Sequence, residues 1–256
     1  MYSQSQKLPV LSKLAYFFFR LAVWSFFKKF NSHEDYLNYN LTEENTPNVT
    51  LCKDGIHYNV KKIKLPYDKE IEYLENNYIQ YIETNIIPDK NTGIYIKCSN
   101  LIEADKYIVG MRNDKQNTRW CIGYDRTYYY GYGNYRSYNV QNTLSEICNV
   151  YMNYLNSKKF IIQKNTDSIP NVTDDLPELS FTPLYPIRIF GSSGIDDDFT
   201  KCKVRIYEVQ ITQGNEIILD LIPVRKNGVG YMFDTISKEL YENDGTGEFI
   251  LGPDIN

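Results

Sequence analysis

The amino-acid sequence predicts a mainly β protein, an antiparallel two-sheet sandwich carrying a hydrophobic helix at its N-terminus. Three observations lead there. Tyrosine occurs 24 times in 256 residues, and its rigid, amphipathic ring favours strands and contact surfaces. From Tyr67 onward, short runs of β-branched and aromatic residues alternate with Gly, Asn and Asp turn signals, and no stretch holds a helical period for long. Ahead of them stands one strongly apolar run, LAYFFFRLAVWSFF, from Leu14 to Phe27.

Lys7 and Lys13 precede that run and Lys28 and Lys29 follow it. As a membrane span it falls short of the roughly 20 residues a bilayer requires and carries Arg20 at its centre. As a secretory leader it is interrupted, heavy in aromatics and followed by no small-residue cleavage pattern. The remaining reading is a helix, apolar around most of its circumference, that hides against copies of itself or against a partner. On that reading residues 1–33 form an anchor or oligomerisation helix, with Phe17, Phe18, Leu21, Trp24 and Phe27 as the anchoring side chains. Contact with protein and contact with membrane both stay open. Residues 34–66 read as a polar connecting segment with short candidate strands at Val49 to Cys52 and Ile56 to Leu65.

Residues 67–256 then read as the sandwich. Its expected strands run Ile71 to Leu74, Tyr78 to Ile82, Gly93 to Cys98, Tyr107 to Met111, Arg119 to Tyr124 and Tyr128 to Gly133. They continue with Ser145 to Leu155, Lys159 to Lys164, Ile187 to Phe190, Cys202 to Thr212, Glu216 to Pro223, Gly230 to Asp234 and Glu239 to Glu242. So many strands must curl or split into two sheets to bury one face. Asn156-Ser157, Gly214-Asn215 and Asn227-Gly228 supply residues that tolerate positive φ in the links. Along Lys203 to Ile211, strict alternation sets Val204, Ile206, Glu208 and Gln210 on one side and Arg205, Tyr207, Val209 and Ile211 on the other. Neither side is purely polar, which predicts a central strand.

A net charge of -4 provides no overall basic field for a phosphate backbone, so nucleic acid is not an expected partner. The five cysteines, Cys52, Cys98, Cys121, Cys148 and Cys202, are scattered, with no paired spacing and only His33 and His57 to accompany them. Buried free thiols in a protein assembled in a reducing cytoplasm are the expectation.

Two stretches carry a resemblance to a known family. IEYLENNYIQYIETNIIP, Ile71 to Pro88, looks like the opening of the concanavalin A-like (LamG-type) jelly-roll domains of gut Bacteroidales phage proteins and of their hosts' surface proteins. LIPVRKNGVGYMFDTISKELYENDGTGEFILGP, Leu221 to Pro253, resembles that family's closing run, in which a Gly-rich turn leads to a last edge strand. The resemblance implies a jelly-roll architecture from about Tyr67 to Pro253 and leaves function open, since such domains serve as lectins, glycanases, fibre domains and virion decorations.

Three sets of residues could carry chemistry. In YDRTYYYGYGNYRSY, Tyr124 to Tyr138, alternation aligns Tyr128, Tyr130 and Tyr132 on one face, with Arg119 and Trp120 as candidate neighbours. Exposed, this stripe would stack on sugar rings or a partner; buried, it is inter-sheet core. Asp196 and Asp198 follow a Gly191-Ser192-Ser193-Gly194 turn and offer oxygen ligands of the kind Ca²⁺ takes, against the plainer reading of a solvated acidic loop. Glu70, Glu72 and Glu75 superficially match the E-x-D-x-x-E carboxylates of the related glycanases, but strand alternation sends Glu75 to the opposite face from Glu70 and Glu72. The expected function is therefore not enzymatic and needs no cofactor. The phage members of the family imply a virion structural protein, a head or tail fibre or capsid decoration component, assembled in the bacterial host cytoplasm. Its expected partners are copies of itself, other virion proteins and host or mucosal glycans. The alternatives are a bacterial cell-surface lectin-like protein and, more remotely, a glycanase.

Overall fold

The computed structural model describes residues 50–53, 56–59, 65–102, 106–113, 118–133, 135–141, 145–153, 158–178, 181–194 and 202–255. The N-terminal run with Phe17, Phe18, Leu21, Trp24 and Phe27 lies outside the described residues, as do Asp196 and Asp198. The chain divides into two compact units, Met1–Leu65 with Asn256, and Pro66–Ile255. In the first, β1 (Thr50–Lys53) and β2 (Ile56–Asn59) form an antiparallel hairpin. Among the described residues no helix is long and apolar enough to cross a membrane.

The second unit is mainly β and carries no helix among its described residues. In chain order its strands are β3 (Lys69–Glu70), β4 (Leu74–Glu75), β5 (Ile82–Glu83), β6 (Thr92–Asn100), β7 (Lys106–Arg112), β8 (Arg119–Tyr124), β9 (Thr127–Gly133), β10 (Tyr135–Gln141) and β11 (Cys148–Asn153). There follow β12 (Lys159–Lys164), β13 (Val172–Asp175), β14 (Arg188–Ile189), β15 (Ser193–Gly194), β16 (Val204–Gln213), β17 (Glu216–Lys226), β18 (Val229–Asp234), β19 (Leu240–Tyr241) and β20 (Ile250–Leu251). A seven-stranded sheet runs β10-β9-β8-β7-β14-β5, with β15 on β7; an eleven-stranded sheet runs β13-β12-β11-β6-β16-β17-β18-β19, with β3, β4 and β20 along its flank. Pairing is antiparallel throughout except for the two-residue parallel contact of β15 with β7. β16 lies between β6 and β17, central as its two mixed faces predict.

The two sheets meet through their inward side chains. Ile94, Ile96, Val150, Phe160, Ile162, Val209 and Ile211 of the large sheet and Val109, Met111, Trp120, Ile122, Tyr128 and Tyr130 of the small one belong to one buried cluster. Tyr130 packs on Phe160 with ring centroids 4.8 Å apart, and Phe190 packs on Phe249 at the same 4.8 Å. Each side chain so removed from water contributes about 1.5–3 kcal/mol, which makes the inter-sheet layer the main stabilising term.

Several predicted boundaries hold closely. Arg119–Tyr124 and Lys159–Lys164 are strands from end to end. Asn227 and Gly228 take φ of 51° and 82°, the two positive values that a tight hairpin between right-twisted strands requires, so Lys226 faces Val229. The strand expected over Tyr78 to Ile82 shrinks to Ile82–Glu83. Its backbone is claimed elsewhere: the Tyr81 N–H donates to Asn243 Oδ1 (3.1 Å), the Ile79 carbonyl accepts from the Thr246 N–H (3.2 Å), and Tyr78 turns the chain at φ 75°. β10 and β13 were not foreseen; both sit at sheet edges, where packing imposes little alternation.

Candidate functional site

The solvent side of the large sheet gathers the groups best suited to recognition. On β16 a bulge between Ile206 and Glu208 inserts one extra residue, and such an insertion reverses the inward-outward phase beyond it. Val204, Ile206, Val209 and Ile211 are consequently buried, while Arg205, Tyr207, Glu208 and Gln210 are all partly exposed. The strict alternation read from the sequence fails here: it set Glu208 with Ile206 and Tyr207 with Val209, and the bulge brings Tyr207 and Glu208 to one face.

Registers across the sheet assemble that face into two rows. Ile161, Tyr151, Tyr95, Gln210 and Asp220 stand opposite one another on β12, β11, β6, β16 and β17; Gln163, Asn149, Lys97 and Glu208 form the next row. The Tyr95 and Tyr151 rings lie 4.6 Å apart, and Tyr151 is 40% exposed. The Tyr95 hydroxyl donates to Asn149 Oδ1 at 2.9 Å. Gln210 Nε2 donates to Glu208 Oε1 (3.1 Å) and to Asp220 Oδ1 (3.0 Å), so one amide clamps two carboxylates. Beyond the bulge, Tyr207 meets Tyr73 edge-on at 5.6 Å, the Arg205 guanidinium stacks 4.5 Å from the Tyr73 ring centre, and Lys97 Nζ stands 5.9 Å over Tyr207.

Burial and neighbouring charge set the protonation of this face. Burial, then the charge of Asp220, raises the Glu208 carboxyl above its ordinary value, against a smaller opposing effect of Lys97. The hydroxyls of Tyr95, Tyr151 and Tyr207 are all raised, chiefly by burial. At neutral pH they are therefore O–H donors and acceptors. Chemically the face offers flat apolar ring surfaces, hydroxyls, amides and carboxylate acceptors side by side.

The residues expected to carry function from the sequence behave differently. Tyr128, Tyr130 and Tyr132 are 1%, 0% and 1% exposed, and Trp120 is fully buried, so the stripe is inter-sheet core and not a sugar platform. Tyr130 shows why: its ring covers Phe160, and its hydroxyl donates to Asp174 Oδ2 (3.2 Å) and the Asp175 carbonyl (3.1 Å) of β13. Arg119 points to the opposite face of the small sheet, buried, with Nη1 donating to the Tyr107 hydroxyl at 2.8 Å beside a second buried cluster of Tyr107, Cys121 and Tyr129. The residues that do share a solvent-facing surface were missed because nothing in their one-dimensional pattern links Tyr73, Tyr95, Tyr151 and Tyr207. Strand register brings Tyr95 to Tyr151, and the pairing of β4 with β16 brings Tyr73, just before β4, to Tyr207.

Glu70, Glu72 and Glu75 do not form an acid and base pair. Glu70 accepts a bond from the Tyr67 hydroxyl (2.7 Å), Glu72 is exposed, and the buried Glu75 is held by Arg205 Nε at 2.8 Å with Lys203 Nζ at 3.7 Å. Among the described residues no group of three His, Cys, Asp or Glu side chains is arranged to hold a metal ion. Cys98, Cys121, Cys148 and Cys202 are buried cysteines that form no disulfide. Burial pushes the Cys148 and Cys202 thiols up to about 12, which makes them unreactive core residues.

No family model matches the chain. No curated protein matches it either. Among solved structures it is similar to one described as "a putative carbohydrate binding protein from Bacteroides ovatus ATCC 8483", with 12% sequence identity and a TM-score of 0.43, covering 72% of this chain. The match spans 60% of that protein's own length.

Proposed function

We propose that this chain is a non-catalytic adhesion protein that binds glycan on the outward face of its large sheet. One observation carries the reading: the register of β11, β6 and β16 sets the Tyr95–Tyr151 pair beside Asn149, Lys97, Glu208 and Gln210 on a partly exposed surface. The C–H faces of a pyranose ring pack on tyrosine, and its hydroxyls pair with amide and carboxylate groups, so this mixture complements a saccharide better than it does an apolar ligand or a polyanion. The setting we propose is the one the sequence resemblance implies, a virion surface component of the fibre or decoration kind.

A glycan array probed with the full chain and with Tyr151→Ala and Tyr95→Ala tests the adhesion. Binding by the native protein and at least about tenfold weaker binding by both variants is expected. A native protein that retains no glycan defeats the reading. Immunogold labelling of particles and of cell envelopes tests the setting, and label confined to envelopes favours the bacterial surface lectin.

A second reading has one observation behind it. The raised Glu208 carboxyl beside Asp220 is the kind of carboxylate pair that glycoside hydrolysis uses. Release of reducing ends from polysaccharide that disappears in Glu208→Gln would replace adhesion with catalysis.

A further inference from the structure

We infer that the face takes an internal stretch of a linear polysaccharide, lying obliquely across β11, β6 and β16, and not a single terminal sugar. The inference rests on the glycan reading above and goes beyond it in naming the ligand's shape.

Two separate aromatic pairs share the surface, Tyr95 with Tyr151 and Tyr73 with Tyr207. Tyr151 and Tyr207 stand two strands apart and about two residues apart along the strand direction. Strand spacing and rise put them on the order of 12 Å from each other, too far for one pyranose ring to cover both. Between them lie Lys97 and Glu208, directly opposite each other across β6 and β16, and Lys97 reaches over the Tyr207 ring at 5.9 Å. The order along the diagonal is ring pair, polar groups, ring pair.

The second pair is also built to hold its position. Arg205 Nε is fixed by Glu75 at 2.8 Å while its guanidinium lies against Tyr73, and the Tyr207 hydroxyl is within 3.3 Å of the Ser99 hydroxyl. A β carbon on Gly252 would stand 2.7 Å from the Tyr73 backbone nitrogen, so the chain passes that ring at close range. Rings immobilised before binding lose little entropy on contact, which is what a stacking platform needs. A terminal sugar is ordinarily held in a concavity that encloses most of its surface. Here the contact groups of β11, β6 and β16 stand side by side on the bodies of adjoining strands, with Tyr73 just before β4.

Isothermal titration of the full chain with cello- and chito-oligosaccharides of one to six units tests this. Affinity should climb at least about tenfold between the disaccharide and the pentasaccharide. Tyr207→Ala should erase that climb, Tyr207→Phe should restore it, and Tyr151→Ala should weaken every length. Length-independent affinity, or a climb that survives in Tyr207→Ala, overturns the inference and leaves adhesion standing. Silence on both ladders with array signals confined to glycans ending in one particular terminal sugar has the same consequence. Silence on both ladders and on the array removes adhesion and the inference together.

Discussion

Truncating Tyr130 and Tyr151 in turn separates a packing residue from a residue of the proposed recognition face. The Tyr130 ring is fully buried against Phe160, and its hydroxyl reaches Asp174 and the Asp175 carbonyl on an edge strand of the opposite sheet. Tyr130→Ala removes most of a buried aromatic side chain, worth about 4 kcal/mol at 25 cal/mol per Å² with the cavity left behind. In a unit of this size each kcal/mol moves the melting temperature by about 2–4 °C, so a fall of about 8–16 °C is expected. Tyr151→Ala removes a ring that is 40% exposed and rests mainly on Tyr95; about 1 kcal/mol, and less than about 4 °C, should follow. Differential scanning calorimetry of both variants, with glycan binding measured well below each transition, gives the comparison. Tyr130→Ala that melts within about 3 °C of the native protein and loses glycan binding would place that ring at the surface and reverse the assignment of the two faces.

Two pH-dependent variants follow from the carboxylates. Asp234 is buried, which by itself would raise its pKa, yet bonds from the Ser237 side chain and the Asp220, Ser237 and Ile236 backbone outweigh this and lower it. A lowered carboxylate stabilises the fold at pH above its ordinary value of 3.8 and loses that contribution as pH falls through the lowered value. Asp234→Asn should therefore cost about 1–3 kcal/mol at pH 7 in urea unfolding, with the gap to the native protein closing in acid. Glu208 works in the opposite sense, because its raised carboxyl penalises the ionised folded state and the fold gains stability as the group protonates. Glu208→Gln should raise the melting temperature at pH 7, and the gain should vanish below pH 4.5, the group's ordinary value.

The sandwich was legible because its signals are local. Alternation along Gly93 to Cys98 and Lys159 to Lys164 and the Asn227-Gly228 turn depend on neighbours within a few residues, and the strands formed where these signals lay. The proposed binding face was not legible, for two physical reasons. A bulge leaves no mark in the residue pattern of KVRIYEVQI except that neither alternating set is clean, so the mixed faces of β16 signalled a phase reversal as well as a central position. The other reason is register: Tyr95 and Tyr151 are 56 positions apart by their numbers, and only the pairing of β6 with β11 puts them ring to ring. The tyrosine-rich segment misled in the opposite way, since its density suggested a surface while its alternation built a core.

Glycine placement distinguishes the outward faces of the two sheets. On the small sheet, a β carbon at Gly123 would stand 2.3 Å from the Tyr129 ring, and one at Gly131 would stand 2.3 Å from the Arg119 side chain. The missing side chains are the space into which Tyr129 and Arg119 lie down, and Tyr107 and Cys121 complete a buried layer with them. Around Tyr95 and Tyr151 the cross-strand neighbours include Ile161, Gln210, Asn149 and Lys97, and the one glycine beside them, Gly93, has its β-carbon space taken by Asn153 Nδ2 (2.4 Å) and Thr212 Oγ1 (2.6 Å) and not by a ring. Tyr129 lies over Gly123 on its own sheet, whereas Tyr151 rests on the Tyr95 ring and keeps 40% of its surface exposed. The two tyrosine-bearing surfaces thus differ in what fills the space over their glycines, and the proposed adhesion face is the one whose Tyr151 ring stays partly exposed.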